Sequence, residues 1–207
     1  QVQQIMFPKP LFKLLLIRHG QTQANVEGRF YGRTDTAMTD VGRGQVQATA
    51  ERLKNYDISH VYASPANRAV ETAEILNQQW QAPMTVDERL WEVDHNRWEL
   101  MTAQDIAAKY PDDWAGFLSG DISKAHHGGE TLDEVAVRGL SLVDELKTSL
   151  PGNGETIVFA SHAGISQVLL CELMGTPKRG IWPYRFKNAG CAELEIYEFG
   201  SVLTGFQ

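Results

Sequence analysis

A buried strand that ends on two basic side chains constrains this chain more than any other feature. Residues 11–17, LFKLLLI, form an apolar run that halts at Arg18 and His19, then loosens into Gly20 and small polar residues. An arginine is rarely buried without a partner, because an unpaired charge loses its hydration. Something anionic therefore belongs at the end of this strand, either a structural carboxylate or a ligand.

Short apolar runs alternate with helical patterns along the rest of the chain, which predicts an α/β layer fold. Strands are expected at 11–17, 60–63, 84–86, 156–160 and 191–199, the last with the polar–apolar alternation of an edge strand. A helix over 39–54 has Thr39 as its cap and Val46, Ala50 and Leu53 at helical spacing. SPANRAVETAEILNQQW predicts a second, with Ser64 as N-cap and Pro65 at its first position. Helices are expected around 102–120. A long one follows, where Thr131 and Glu134 form a capping box, and ISQVLLCELMG makes another that ends at Gly175. Residues 1–10 read as a flexible lead-in and 11–207 as a single domain, with 87–129 an irregular insertion that covers a site.

Charge narrows the partners. Nineteen basic residues stand against 26 acidic ones, a net charge of −7, which argues against nucleic acid or an anionic membrane as partner. No apolar run approaches the ~20 residues of a membrane span, and the first residues lack the pattern of a signal peptide. Cys171 and Cys191 are too few for a disulfide framework and read as free thiols in the cytoplasm. Positive charge must therefore be concentrated locally, around a small anion.

Three strand ends supply it. Arg18 and His19 close one strand, Arg68 lies in the first turn after a second, and His162 closes a third. Ligands of open α/β sheets collect at these carboxyl ends, so the four side chains converge if the strands are neighbours. Arg68 opposes its own helix dipole, which costs a few tenths of a kcal/mol to ~1; a bridge to Glu71 one turn on is the structural alternative. Two guanidinium forks match the oxygens of a phosphoryl group. They also keep a neighbouring histidine neutral and so nucleophilic. His19 is then placed to attack phosphorus and His162 to donate to the phosphoryl oxygens.

RHG at 18–20, SPANRAVETA at 64–73 and SHAG at 161–164, with QTQAN, RFYGRTD and MTDVGRGQ in order, resemble the signature of the histidine phosphatase, or phosphoglycerate mutase-like, superfamily over about residues 12–199. The resemblance implies a three-layer α/β/α sandwich with a central, mostly parallel sheet. It implies that His19 is phosphorylated and then hydrolysed, and that no cofactor is needed. Arg18, Arg68 and His162 fall on its phosphate-binding positions, Asn25 on a further polar contact, and Gly32 where substrate approaches the backbone. LWEVDHNRWEL, 90–100, resembles the family's donor motif and places the proton donor at Glu92, kept protonated by the adjacent phosphate. Pairing of Glu92 with Arg68 or Arg97 is the structural alternative, and Asp94 is the reserve donor. Here Asn96 and Leu100 stand where the family has glycines. Asn96 suits a left-handed turn and Leu100 does not.

His95, Asp94 and the His126–His127 pair match no common metal-ligand spacing, so no metal is expected, and His126 and His127 belong to a loop over the pocket. The replacement of the final glycine by Leu100, and the run GIWPYRFKNAGCAELEI at 180–196 with Trp182, Arg185, Gly190 and Cys191, resemble the α-ribazole phosphatases of cobalamin assembly. That resemblance implies an ester with a flat apolar base, for which Trp182 is a stacking partner or else a core or rim residue. A broad-specificity phosphatase, a mutase-like phosphotransferase and a non-catalytic phosphate binder stay open, as does homo-oligomerisation.

Overall fold

The computed structural model describes residues 8–178 and 183–207. The N-terminal lead-in therefore lies largely outside the described residues, and so does Trp182. In chain order the elements are β1 (Phe12–Arg18), α1 (Gln23–Val26), α2 (Asp40–Leu53), β2 (Ile58–Ala63), α3 (Asn67–Trp80) and β3 (Met84–Val86). They continue with α4 (Ala103–Lys109), α5 (Pro111–Leu118), α6 (Leu132–Ser149), β4 (Glu155–Ser161), α7 (Ala163–Met174), β5 (Cys191–Tyr197) and β6 (Gly200–Phe206). Two 3-10 turns, Glu88–Leu90 and Asn96–Trp98, interrupt the stretch between β3 and α4.

The strands form one sheet in the order β3-β2-β4-β1-β5-β6. β3, β2, β4 and β1 are parallel, and β5 and β6 add antiparallel. Successive strand side chains face opposite ways, so β1 and β4 serve two cores at once. Leu14, Leu16, Ile157 and Phe159 pack against Val135, Leu142 and Val143 of α6 and Ile165, Val168 and Leu169 of α7. On the other face Leu15, Ile17, Val158 and Ala160 meet Val46, Ala50 and Leu53 of α2 and Ala73 and Leu76 of α3. Two helical layers thus enclose a mostly parallel sheet, the three-layer sandwich that the family signature implies.

Thr39 caps α2, Thr131 and Glu134 make their capping box at α6, and α7 ends on Gly175 in the left-handed conformation, all as expected. Three readings are corrected. The 191–199 strand is interior, because a strand not foreseen, β6, covers it. β6 carries two glycines and only weak apolar alternation, so its pairing depends on β5 rather than on its own pattern. The helices expected around 102–120 are present as α4 and α5, which meet at Tyr110, with Pro111 opening the second. Ser64 does not cap α3. The helix starts after Ala66, which has no capping side chain, and Asp35 accepts the Asn67 N–H at 2.8 Å instead. Finally, the Arg68–Glu71 bridge is not formed: Glu71 pairs with Arg43 at 2.6 Å.

Leu100 has a φ of 60° and Asn96 one of 38°. The turn is held open by the Leu100 N–H on the Phe30 carbonyl at 2.6 Å and by Arg29 on the Leu100 carbonyl at 2.7 Å. A branched side chain in this conformation costs ~1–2 kcal/mol, partly offset by the unfolded-state entropy a glycine would add. Leu100→Gly is therefore expected to raise stability by ~0.5–1 kcal/mol in urea denaturation. A loss of that size would show that the exposed leucine makes contacts worth more than its strain.

Candidate active site

Strand register assembles the site. Arg18 lies opposite Ser161 in the β1–β4 pair and Ala63 opposite Ala160 in the β2–β4 pair. The residues that follow, His19, His162 and Ser64, must then emerge side by side at the carboxyl edge. The His19 N–H bonds the Ser161 carbonyl at 2.9 Å and the Ser64 N–H that of Ala160 at 3.0 Å. The two imidazole rings sit 5.3 Å apart, edge to face.

His19 is almost wholly buried. Its Nδ1 lies 2.7 Å from the Gly20 carbonyl, which can only accept, so Nδ1 carries the hydrogen and Nε2 keeps the lone pair. Burial, then the charges of Arg68 and Arg18, hold His19 well below the ordinary imidazole range, so it is neutral near pH 7. His162 is 0% exposed and held low by burial first, then by Arg68 and His19.

Arg68 is buried with its charge under a three-part clamp. Its guanidinium donates to the Gly32 carbonyl at 2.8 Å, the Thr34 carbonyl at 3.2 Å and Asp35 at 3.3 Å, and it lies over the Tyr31 ring at 4.6 Å. Arg18 is fixed by the Phe186 carbonyl at 2.8 Å. Both arginines keep a buried Nε, and His162 a buried Nδ1, with no protein partner. Buried polar nitrogens rarely go unpaired, and these three belong to neighbours of His19, whose ring feels the charges of Arg68 and Arg18 and lies 5.3 Å from that of His162.

Glu92 reaches this cluster from the turn after β3. Its Oε1 accepts the N–H groups of Val93 and Ile165 at 2.9 and 3.0 Å, and its Oε2 that of Gly164 at 3.0 Å. The carboxyl group thus sits at the N-terminus of α7, held in place by three backbone N–H groups. A Cβ at Gly164 would come within 2.5 Å of the Glu92 Oε1, so a glycine is needed there. Glu92 makes no bridge with Arg68 or Arg97. Asp94, the reserve, accepts the Asn96 N–H at 2.8 Å and stabilises the turn rather than facing the cavity.

A cavity of about 320 Å³ opens over these groups. Arg18, His19, Asn25, Arg68 and Glu92 line its polar end, and Phe30, Tyr31, Val93, His95, Phe117, His127 and Leu132 its other walls. His162 is not among the lining residues, and its ring packs edge to face on that of His19 at 5.3 Å. Asn25 is at the wall, with its Oδ1 taken by Thr22 and Asn188. Gly32 is not at the wall, which corrects its expected place. A Cβ there would overlap the Val93 carbonyl, and its own carbonyl holds Arg68, so it serves close packing. The 87–129 stretch contributes Glu92, Val93, His95, Phe117 and His127 to the lining.

Sequence reasoning missed several supports. Tyr31 sits inside RFYGRTD, where the resemblance marks only the glycine. The Glu99 carboxylate gathers the N–H groups of Gly32, Arg33 and Thr34 at 2.7 to 3.1 Å and shapes the loop that clamps Arg68. Arg138 of α6 binds Glu130 and the carbonyls of Arg89, Trp91 and Glu92, fixing the turn that carries Glu92. The run at 184–190 braces Arg18, Asn25 and His19 through Phe186, Asn188 and Ala189. Nothing local marks these roles, because most of them join residues far apart in the chain.

Residues 14–207 match the model of the histidine phosphatase superfamily, branch 1. A glucosyl-3-phosphoglycerate phosphatase of Mycolicibacterium vanbaalenii is 34% identical, covering 83% of this chain and 77% of its own. Among solved structures, a mycobacterial glucosyl-3-phosphoglycerate phosphatase in complex with VO3 aligns at a TM-score of 0.81 with 30% identity, over 94% of this chain and 98% of that one. The α-ribazole phosphatase of Shigella flexneri aligns at 0.84 with 26% identity, over 94% and 96%.

The histidines make stability acid-sensitive. Burial, followed by the charges of His95, His126 and Arg97, pulls His127 down to about 4, and burial lowers His19, His95 and His162 in the same direction. Below their ordinary range, near 6.5, the unfolded chain takes up protons that the folded chain refuses, so stability falls as the pH drops from about 6.5 toward 4, by ~1.4 kcal/mol per pH unit for each such group. Urea midpoints across this window are expected to fall, and less steeply for His127→Gln. Parallel curves for the two proteins would mean that His127 is not buried neutral.

Proposed function

The chain belongs to the histidine phosphatase superfamily, branch 1, as an enzyme that hydrolyses phosphate monoesters, and we propose that it does so through a phosphohistidine at His19. The observation that carries this reading is the lone pair on His19 Nε2 beside buried, unpartnered nitrogens of Arg18, Arg68 and His162. The guanidinium groups take the phosphoryl oxygens, Nε2 forms a bond to phosphorus, and the phosphorus–alkoxide bond breaks. Glu92 gives its proton to the departing alkoxide. The proton leaves from Oε2, because Oε1 accepts two backbone N–H groups and Oε2 only one, which leaves Oε2 a lone pair. Glu92 then takes a proton from the water that attacks phosphohistidine, and inorganic phosphate leaves.

We propose further that the alcohol carries a flat, apolar and uncharged base, with α-ribazole-5′-phosphate the substrate of that class to try first. Phe30, Phe117, Val93 and Leu132 supply apolar wall, and burial keeps His95 and His127 neutral. A glycerate ester is the second reading, favoured by Arg29 at the wall. That guanidinium is already engaged by Glu27 and the Leu100 carbonyl, however, so a substrate carboxylate would have to compete for it.

His19→Ala is expected to abolish an acid-labile, base-stable 32P label on the protein, and persistent labelling would remove His19 as nucleophile. Glu92→Gln should slow turnover of alkyl phosphates far more than of p-nitrophenyl phosphate, whose leaving group needs no proton. Equal losses would make Glu92 structural. For the substrate, kcat/KM on α-ribazole-5′-phosphate should exceed that on 3-phosphoglycerate and p-nitrophenyl phosphate by roughly a hundredfold, the ~2.7 kcal/mol of a fitted alcohol site. Similar values for all three would retain the phosphohistidine and discard the aromatic ester.

A further inference from the structure

Ser64 is fully buried at the end of β2, where it was expected to cap α3 and does not. Its Oγ lies 2.7 Å from the Nε2 of His162. Its other polar neighbour among the described residues is the Ala66 N–H, a donor, at 3.5 Å. We infer that Ser64 is a positioning residue that sets the tautomer of His162, holding the hydrogen on Nδ1.

Counting hydrogens leads to this assignment. A buried hydroxyl must place its own hydrogen on an acceptor or forfeit a hydrogen bond. The Ala66 N–H cannot accept, so the Ser64 hydroxyl donates to the lone pair of His162 Nε2. Were Nε2 protonated, Ser64 Oγ would face two donors and its hydrogen would have no acceptor. The ring is neutral in this setting, because burial and the neighbouring arginines disfavour its cation. A neutral imidazole carries one hydrogen, and with Nε2 accepting, it sits on Nδ1.

His162 Nδ1 is buried without a protein partner, and the ring centre lies 5.3 Å from that of His19. The two histidines are therefore set in complementary states. His19 holds its hydrogen on Nδ1 through the Gly20 carbonyl and offers a lone pair at Nε2. His162 accepts at Nε2 and offers N–H at Nδ1, the form that can donate to a phosphoryl group carried on His19. The wrong tautomer would turn that donor into a lone pair facing anionic oxygens. The catalytic consequence rests on the phosphohistidine reading; the tautomer itself does not.

The test is nitrogen NMR on the whole protein labelled with 15N-histidine at about pH 7, where neutral tautomers are distinguished. His162 is assigned by comparison with His162→Gln. The wild type is expected to show a protonated Nδ1 and an unprotonated Nε2 for His162. Ser64→Ala should lose that preference and lower kcat on p-nitrophenyl phosphate roughly tenfold to a hundredfold, less than removing a transition-state donor outright. KM should change little, and Ser64→Ala should add no further loss in the His162→Gln background. Protonated Nε2 in the wild type overturns the assignment, as does a Ser64→Ala variant with unchanged tautomer and kcat. If Ser64→Ala does not fold, the wild-type spectrum still decides. Absence of the 32P label on His19, with the expected spectrum, would remove the phosphohistidine and leave the tautomer assignment standing.

Discussion

Two guanidinium groups and two imidazoles are buried together at one edge of a parallel sheet, and much of the surrounding structure serves to hold them there. Four groups that can each carry positive charge cannot all be charged in so small a space. A guanidinium holds its proton far more tightly than an imidazole does, so the histidines give up theirs. The same constraint that threatens stability thus leaves His19 neutral, with a lone pair on Nε2, as the proposed nucleophile requires. Burial and charge act in one direction on both rings.

The arginines are held by a second tier of groups drawn from distant parts of the chain. Glu99 folds residues 32–34 so that the carbonyls of Gly32 and Thr34 face Arg68, and Asp35 supplies a carboxylate to the same guanidinium. That carboxylate also serves the start of α3, which lacks a capping side chain of its own. On the opposite side Arg138 and Glu130 tie α6 to the turn around Glu92, while the 184–190 run secures Arg18. Close approaches at Gly32 and Gly164 leave no room for a side chain between these layers. Strain is tolerated where the layers meet, at Leu100, whose backbone both receives Arg29 and donates to Phe30.

Membership of the superfamily accounts for the polar end of the cavity, and that end says little about the alcohol. In the proposed reading selectivity falls to the other walls, where Phe30 packs edge to face against His95 and Phe117, and His95 against His127. These rings come from the 28–32 loop and the 87–129 stretch, outside the sheet at whose edge the arginines and histidines of the proposed phosphate site stand. The scaffold for phosphoryl transfer and the surface that meets the alcohol are built from different segments, so one can vary while the other stays.

The sequence by itself determined the sandwich and the position of most reactive groups. An apolar run that ends in Arg18 and His19 can be read locally, as can the caps at Thr39 and Thr131 and the left-handed stop at Gly175, because each depends on neighbours within a few residues. The placement of Glu92 was legible only through its motif. Ser64 shows where local reading ends: next to Pro65 it has every mark of a helix cap, yet strand register brings it to His162 and the longer-range hydrogen bond wins. β5 looked like an edge until β6, unremarkable alone, paired with it. Tertiary structure alone decided the clamp on Arg68, the partners of Glu92, the packing role of Gly32 and the ring nitrogens that carry hydrogen. Those depend on which carbonyls and N–H groups come within about 3 Å across the fold, a distance that spacing along the chain does not encode.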